Sequence, residues 1–341
     1  MNATRRTGLV LALLTLVAGP ALAGSPQRLG TGGAPELRLP AGARSVALSE
    51  SDLGSVGGAE ALFYNPAGIV ETDAHTEVMF SHTDYIADMK LNYLAITQSV
   101  GNMGTVGVSA KVFSVGDIER TTETAPDGTG AIFSPTFSTL GLSFARKLTD
   151  RVDFGATVAY DAEKIMEETA AGVSFGFGFQ YDTDYRGLRI GMAMRNVGPN
   201  MEFKGTDFDR LQLLPTDDPQ AAARNVTLGS AEFELPTTFQ FGMSYPVTRG
   251  PEGTVTIHGL YMSNSFAVDE GRLGAEWGYK KMFALRGGYK ITSNSDDLFG
   301  FSYGVGLRVP LGGSNLWVDY AGQTVSDFFD DVQHVSATFQ F

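Results

Sequence analysis

The chain has 341 residues and a formal net charge of −13, which allows two ordinary domains or one large all-β barrel. It contains no cysteine, so neither disulfides nor thiolate metal sites hold it together. The acidity argues against nucleic-acid binding, and the 42 glycines suit tight turns and small positions facing into a barrel.

Residues 1–23 have the composition of a cleavable signal peptide. Arg5 and Arg6 form its positive end, residues 8–17 form an apolar stretch, and Ala21-Leu22-Ala23 supplies an A-x-A cleavage site. That stretch is short for a membrane anchor, and no run of about 18 apolar residues follows it. We therefore predict an exported chain, whose net charge without residues 1–23 is −15.

Residues 24–75 lack strand-like alternation. Residues 25–40 are rich in glycine and proline, and residues 42–72 combine short helical pieces with a turn at Asn65-Pro66-Ala67-Gly68. Asn before Pro favours a turn, and Gly68 can take a positive φ. This segment is well sized to fold into the lumen of a barrel as a plug, with a periplasmic cap or linker as the alternative.

From Thr76 onward, stretches of about ten residues alternate with period two. In the clearest one, from Ala171 to Tyr181, aromatic and aliphatic residues share one face while glycine, serine and glutamine occupy the other. Such alternation predicts strands and not helices. Fourteen strands are predicted: 76–82, 91–100, 104–114, 137–148, 152–162, 170–181, 187–196, 236–245, 254–262, 270–279, 282–291, 301–310, 315–322 and 332–341.

The connections between these strands differ in length. Short connections alternate with longer ones, notably 115–136 and 197–235. Short periplasmic turns, long outer loops and an even strand count are typical of an outer-membrane β-barrel. We therefore predict a transmembrane antiparallel barrel over residues 76–341, and a soluble exported sheet protein is the alternative.

In such a barrel, one face of each strand points into the lumen and the other contacts lipid. The face rich in Gly, Ser and Thr suits a crowded lumen, while the aromatic face contacts lipid and barrel closure pairs every backbone group. Arg146 shares the lipid-facing register and can extend its charge to the interface, and strand 91–100 is ambiguous in both registers. Four aromatic residues near strand ends are predicted to form interfacial girdles: Trp277, Tyr279, Tyr289 and Tyr320.

The sequence HVSATFQF, residues 334–341, is predicted to be the closing strand. Its apolar face resembles the terminal signal that the bacterial barrel-assembly machinery recognises, and an ordinary last strand of a soluble sheet is the alternative. The residues of this face are Val335, Ala337, Phe339 and Phe341.

No motif for catalysis or metal binding is present. The histidines at 75, 82, 258 and 334 lack metal-ligand spacing, and no nucleophile elbow or P-loop occurs. Asp217-Asp218 and Asp296-Asp297 lie in predicted outer loops, as solvated charges or weak cation ligands. We predict a non-enzymatic chain without a cofactor, although residues of a membrane-embedded hydrolase or acyltransferase can converge from distant strands.

Three stretches carry a family resemblance: AEALFYNPAGI (59–69), LGLSFARKLTDRVDFGATVAYDAEKI (140–165) and GLRIGMAMRNVGPNMEF (187–203). The first resembles the hatch motif of the long-chain fatty-acid transporter superfamily of outer-membrane barrels. Together they look most like the PorV/PorQ family, whose superfamily barrel has fourteen strands. By this resemblance Asn65, Pro66 and Ala67 belong to a hatch element that blocks or gates the barrel.

The resemblance implies a function in the outer membrane. Family members include barrels of the type IX secretion system, so the chain is expected to assist protein secretion at the cell surface. Expected partners are membrane lipid, the barrel-assembly machinery, and secreted proteins or secretion components that contact loop 197–235 through Leu211 to Leu214. The alternatives are passage of hydrophobic small molecules such as long-chain fatty acids, gated by the plug, and a structural closed barrel.

Overall fold

The computed structural model describes residues 28–212, 222–250, 253–294, 297–326 and 329–341, so the predicted signal peptide 1–23 lies outside the described residues. Its strands, numbered in chain order, are β1 (Thr76–Asp84), β2 (Lys90–Ser99), β3 (Thr105–Ser114), β4 (Ile118–Glu119), β5 (Ile132–Phe133), β6 (Thr136–Lys147), β7 (Val152–Ile165), β8 (Glu168–Asp182), β9 (Arg189–Val197), β10 (Phe203–Gly205), β11 (Asp209–Gln212), β12 (Arg224–Thr227), β13 (Thr238–Gly250), β14 (Gly253–Asn264), β15 (Glu270–Tyr279), β16 (Phe283–Thr292), β17 (Phe299–Leu311), β18 (Ser314–Val325) and β19 (Val332–Gln340).

Fourteen of these strands form a closed antiparallel barrel, as the alternation predicts. Each pairs with its neighbour along the chain, and β1 pairs with β19 from Glu77 opposite Gln340 to Asp84 opposite Gln333. The remaining five strands lie outside the barrel order. β4 pairs with β5, β11 pairs with β12, and β10 pairs with the start of β8. The two long predicted loops therefore carry short hairpins of their own.

The alternating faces point as predicted. On β8 the residues Phe175, Phe177 and Phe179 are exposed on the outer surface, whereas Ser174 and Gln180 are buried toward the lumen. Closure pairs the backbone groups of every spanning strand, which a hydrocarbon environment requires. The outer surface therefore presents the apolar belt of a membrane barrel.

Strand β2, ambiguous in the sequence, has apolar residues on both faces. Leu94 and Ile96 face outward, while Leu91, Tyr93 and Ala95 are buried inside. The inner residues are apolar because they pack against chain that fills the lumen. The periodic signal is lost wherever both faces of a strand are covered.

Connections at one end of the barrel are short, and we call it the short-turn end. It includes residues 100–104, 148–151, 280–282 and 312–313. The opposite, long-loop end carries the connections 115–135 and 198–237, but the expectation that every connection there is long was wrong. The turns 85–89 and 166–167 are also short, because β1–β2 and β7–β8 form tight hairpins.

Residues 28–75, here called the lumen segment, run inside the barrel from the long-loop end to the short-turn end. Gly30 and Gly33 bond to the backbone of the outer connections at Phe266 and Glu234, and His75 bonds to the carbonyl of Phe341. The segment consists of the helical turns Pro35–Arg38, Ala43–Ala47, Gly58–Glu60, Ala61–Tyr64 and Pro66–Val70. Further 3-10 turns occupy Ile86–Asp88, Gly101–Met103 and Thr206–Phe208.

The hydrophobic core lies inside the barrel, between the lumen segment and the lumen-facing side of the strands, which we call the wall. Leu53, Val56 and Ile69 from the segment are fully buried with Met79 and Leu260 from the wall. Within the described residues, no helix is long and apolar enough to cross a membrane.

Candidate functional site

The Asn65-Pro66-Ala67-Gly68 turn lies in close contact with the wall. Asn65 is fully buried; its Oδ1 accepts a hydrogen bond from the amide of Ala67 at 3.2 Å and so begins the turn Pro66–Val70. Its Nδ2 donates to the carbonyl of Phe179 on β8 at 3.1 Å and to that of Leu53 at 3.3 Å. One carboxamide thus joins the turn, the segment and the wall.

Gly68 is required for a different reason from the one predicted. It does not have a positive φ, because it lies within the turn Pro66–Val70. Instead, a Cβ atom there would overlap the carbonyl oxygen of Val56 and come 2.9 Å from the Cβ of Ala61. The residue is small because the segment folds back on itself at this point.

The wall opposite the turn is built from glycine. A Cβ atom at Gly155 would overlap the backbone of Pro66 and Ala67. One at Gly178 would overlap the side chain of Asn65. Close approach of two backbones is a common use of glycine in strands. Other wall glycines that approach the lumen segment in this way include Gly191, Gly274, Gly288 and Gly304.

Buried polar wall residues also hold the segment, and the sequence analysis missed them. Gln180 donates to the carbonyls of Val56 at 2.8 Å and Leu53 at 3.2 Å. Glu77 accepts from the amide of Ala59 at 2.8 Å and from the hydroxyl of Thr72. Only Gln180 had a signal in the sequence, because it is a large polar residue in a register otherwise filled by glycine and serine, although its partners could not be read from that signal.

A charged network continues this contact toward the short-turn end. Arg44 of the segment bonds to Asp52 at 3.1 Å and to Glu276 of β15 at 3.3 Å, with Glu60 at 4.0 Å. Arg286 in turn bonds to Glu276 and to Asp319, each at 2.6 Å. Four carboxylates thus share two guanidinium groups inside the barrel, which disfavours ionising all of them.

Glu60 is the member of this network with a raised pKa. Burial raises the pKa of Glu60 to about 8 despite the opposing charge of Arg44, and the nearby Asp52 adds to the increase. One of its oxygens accepts a hydrogen bond from the amide of Ser45 at 3.1 Å. The lumen segment therefore carries a titratable group near neutral pH.

Glu71 forms a second charged contact, where the segment leaves the lumen. It accepts from Lys147 at 2.7 Å and forms an ion pair with Arg189. Partial burial by itself would raise the pKa of Glu71, but the hydrogen bond from Lys147 and the charge of Arg189 lower it below the usual value. This carboxylate stays ionised and ties the segment to β6 and β9.

A small pocket lies beside Phe63 of the segment, toward the long-loop end. The guanidinium of Arg195 stacks over the Phe63 ring at 3.9 Å, and the Lys111 ammonium lies 4.9 Å from the same ring. Lys111 also donates to the carbonyl of Glu36 at 2.9 Å, and Tyr93 contacts Phe63 edge to face. The pocket holds only about 70 Å³, room for about two waters at bulk density.

A larger cavity of about 720 Å³ opens at the short-turn end, and we call it the vestibule. The end of the lumen segment from Glu71 to Ala74 forms one side. The ends of β15 to β18 form the other, with Arg308, Trp317 and the turn Lys280-Lys281. The lumen is therefore filled in its middle and open at one end.

The predicted C-terminal face lies where expected, at the seam of the barrel. Val335, Phe339 and Phe341 are exposed on the outer surface, Ala337 shares their register, and the Phe339 and Phe341 rings stack at 6.5 Å. Its role as an assembly signal stays a prediction. Trp277, Tyr279 and Tyr289 also face outward, whereas Tyr320 lies further from the strand ends, paired with Val305 and Val335.

The remaining predicted positions are dispersed. His258 and His334 face the lumen in separate regions, and His82 pairs with Asp84 at 3.3 Å. No group of three metal-ligating side chains occurs within the part of the chain described above. Asp217, Asp218 and Asp296 lie outside the described residues, as do residues 213–214 of the predicted contact Leu211 to Leu214. Asp297 pairs with Lys290 at 2.6 Å, and Leu211 is 77% exposed.

Comparison with protein families decides the assignment. The family described as type IX secretion system protein PorV matches residues 23–231. The chain belongs to the PorV family. It is an outer-membrane β-barrel of the type IX secretion system, as the resemblance of its three stretches implied.

Solved structures with a similar fold include a hydrocarbon channel, a toluene transporter and a FadL homologue. The CymD monoaromatic hydrocarbon channel is 12% identical, with a TM-score of 0.55 over 89% of this chain and 98% of its own. A Pseudomonas aeruginosa FadL homologue is 12% identical, with a TM-score of 0.54 over 89% and 99%. The Pseudomonas putida toluene transporter TodX is 11% identical, with a TM-score of 0.52 over 86% and 96%. At such identities these likenesses concern the fold alone. No curated protein matches the sequence.

Proposed function

We propose that this barrel is a closed, non-enzymatic partner in type IX secretion, and that the secreted polypeptide does not pass through its lumen. The lumen segment, within the predicted plug 24–75, acts in this proposal as a permanent closure. The observation that carries the proposal is the buried contact between the Asn65-Pro66 turn and the glycine wall at Gly155 and Gly178.

The dimensions of the interior support closure. A polypeptide needs a continuous passage, whereas Leu53, Val56 and Ile69 of the lumen segment fill the middle of the lumen and are buried with Met79 and Leu260 of the wall. Opening the middle of the lumen would also leave the carboxamide of Asn65 and the amide of Gln180 without their buried partners. Each unsatisfied buried polar group costs about 1–3 kcal/mol.

The hairpins at the long-loop end are the surfaces that we propose for partner contact. Hairpin β11–β12 and the residues next to it carry Leu211, 77% exposed, and Leu228, 48% exposed. We propose that a secretion partner covers these two side chains, since apolar residues contribute to the buried centre of protein interfaces. The partner contact predicted for loop 197–235 is thus proposed to be made by hairpin β11–β12, which lies within that loop.

Complementation of a gene deletion tests the proposal. We expect deletion to abolish surface delivery of type IX cargo, and the full chain to restore it. The double variant L211D/L228D should assemble normally but restore cargo delivery at least about tenfold less well, since charges replace the apolar contact. The matched control is Y185S, which removes an exposed aromatic side chain at the opposite, short-turn end. Full cargo delivery with L211D/L228D would reject the proposed contact, and unchanged delivery after deletion would reject the secretion role.

Passage of hydrophobic small molecules is a second candidate, which the pocket at Phe63 favours. An apolar ring and two cations, Lys111 and Arg195, form a surface suited to an amphipathic anion such as a fatty acid. The pocket is too small for such a ligand unless the lumen segment moves. A fatty-acid role therefore requires measurable opening.

Ligand binding separates the two candidates. Calorimetric titration of the purified barrel with laurate should show no saturable binding if the lumen segment stays closed. Saturable binding that K111M abolishes, together with laurate-dependent growth of the complemented strain, would favour the small-molecule role instead.

A further inference from the structure

The vestibule contains cations that no carboxylate neutralises. Lys280, Lys281 and Arg308 all line it, and none forms an ion pair with another part of the chain that the structure describes. The Nε of Arg308 is buried without any hydrogen-bond partner there. A buried guanidinium donor is normally satisfied, so this one is available for a ligand.

The carboxylates that share the vestibule are engaged elsewhere. Glu71 binds Lys147 and Arg189, while Glu276 and Asp319 both bind Arg286. Glu60 lies 4.0 Å from Arg44 and accepts a bond from the amide of Ser45, and Glu77 accepts bonds from Ala59, Thr72 and Gln340. Among the described carboxylates of the vestibule, Asp73 has no partner, and it is exposed on the side of the lumen segment. The side formed by β15 to β18 is therefore locally positive in a chain with a net charge of −13.

The backbone at Lys280-Lys281 supports a functional reason for these cations. Both residues have a positive φ, of 48° and 54°, which non-glycine residues adopt at a cost. A tight hairpin turn of this kind favours Asn-Gly. The turn between β17 and β18 uses Gly312-Gly313 instead. The turn between β15 and β16 thus places two lysines side by side at the mouth of the vestibule, where the turn geometry itself does not favour them.

Trp317 completes this side of the vestibule. It lies directly opposite Arg308 in the register of β17 and β18, and both side chains line the cavity. An aromatic residue next to a guanidinium provides an apolar surface beside a charged one. Most lumen-facing positions of these strands carry small or polar residues, so an indole here is an exception.

We propose that the basic side of the vestibule, formed by Lys280, Lys281, Arg308 and Trp317, binds a phosphate group presented from the periplasm. A guanidinium and two ammonium groups match the several oxygens of a phosphate. The group can belong to a soluble phosphate compound or to the headgroup of an anionic lipid. This site is independent of the proposed contacts at the long-loop end.

Tryptophan fluorescence tests the proposal, because the chain has two tryptophans and Trp277 faces outward. In a full-length W277F barrel in phosphatidylcholine nanodiscs, Trp317 alone reports on the vestibule. With each quenching constant divided by that for free N-acetyltryptophanamide, we expect iodide to quench Trp317 about threefold more strongly than caesium at low ionic strength, because the local potential is positive. The net negative charge of the chain predicts the opposite order, and that order would overturn the proposal.

Two variants connect the effect to the named residues. K280N/K281G restores the residues that the turn prefers, so we expect it to fold at least as well while losing the iodide preference. R308Q should reduce the preference and keep the fold. Retention of the iodide preference in the triple variant K280N/K281G/R308Q would overturn the assignment of the positive potential to these residues.

The source of the phosphate is distinguished by two arms of the same measurement. Inorganic phosphate added to barrels in phosphatidylcholine nanodiscs should protect Trp317 from iodide if a soluble compound suffices. Protection that appears only in phosphatidylglycerol nanodiscs would identify a lipid headgroup. The absence of protection in both arms would overturn the phosphate site.

Discussion

The lumen segment contacts the wall differently in the middle of the lumen and in the vestibule. In the middle, the Asn65-Pro66 turn lies backbone to backbone against Gly155 and Gly178, with no space for another side chain. In the vestibule, about 720 Å³ stays open between charged residues. The barrel is closed where glycines in the wall leave room for the backbone of the lumen segment. It carries charged side chains where the cavity is open.

The largest expected effect comes from adding a methyl group to the closed region. G155A places a Cβ atom on the backbone of Pro66 and Ala67, which cannot move aside as a side chain can. We expect a loss of roughly 3 kcal/mol or more in the free energy of unfolding, or displacement of the lumen segment with new conductance. Gel-shift unfolding and planar-bilayer recordings measure both.

The control is G287A, which lies on the lipid-facing side of β16. A Cβ atom there meets no atom closer than 3.9 Å, so its stability should stay within about 0.5 kcal/mol of the parent. Equal stability and conductance of G155A and G287A would contradict the description of a glycine wall.

A smaller effect is expected from removing the carboxamide of the turn. N65A loses the bonds to Ala67, Leu53 and Phe179 and should destabilise the barrel by about 1–3 kcal/mol. If the turn gates the barrel, replacing Asn65-Pro66 by Ala-Ala should also raise permeability in liposome-swelling assays. Normal folding with unchanged permeability would count against a gate.

The pH dependence of stability should have opposite signs at two carboxyls. Because the pKa of Glu60 is raised from 4.5 to about 8, the folded state loses stability as pH rises through that window. Because the pKa of Glu71 is lowered, its contribution is lost as pH falls through that lowered value. One proton gives a slope of at most about 1.4 kcal/mol per pH unit.

Denaturant midpoints measured from about pH 2 to 9 check this prediction, because the lowered pKa of Glu71 lies below its usual value of 4.5. E60Q should flatten the alkaline side of the curve, and E71Q should flatten the acid side. Identical curves for both variants and the parent would contradict the assigned protonation states.

The smallest effect is expected in the vestibule. R308Q removes a charge that holds no described partner, so its free energy of unfolding should change by no more than about 0.5 kcal/mol. A loss as large as that of N65A would show that Arg308 supports the fold, and the contrast between the two regions would fail.

The sequence predicted the wall well and its contacts poorly. Period-two alternation located the spanning strands and their lipid-facing sides because one face of each contacts a uniform apolar solvent. The bonds of Gln180 and Glu77 were not predictable, since they depend on which part of the lumen segment lies opposite. Tyr93 obscured the period-two pattern of β2 for the same reason. Trp317 was not singled out, because the sequence pattern alone allows an indole to face either the lipid or the lumen.

The boundaries between signal peptide, plug and barrel, at residues 23 and 75, remain predictions. The Asn65-Pro66 turn was located correctly as a tight turn, but the reason for Gly68 was wrong. Sequence alone indicates that a turn needs a small residue, whereas only the neighbouring Val56 carbonyl shows that the constraint is steric.

The central claim, that secretion proceeds with the lumen closed, has a direct test because the chain lacks cysteine. Ser49 of the lumen segment and Ser302 of β17 are both buried, and their hydroxyl oxygens are 3.1 Å apart. The double variant S49C/S302C, oxidised in the outer membrane, should lock the segment to the wall while cargo delivery continues at the level of the single variants. Loss of delivery on oxidation, restored by a reductant, would contradict the account.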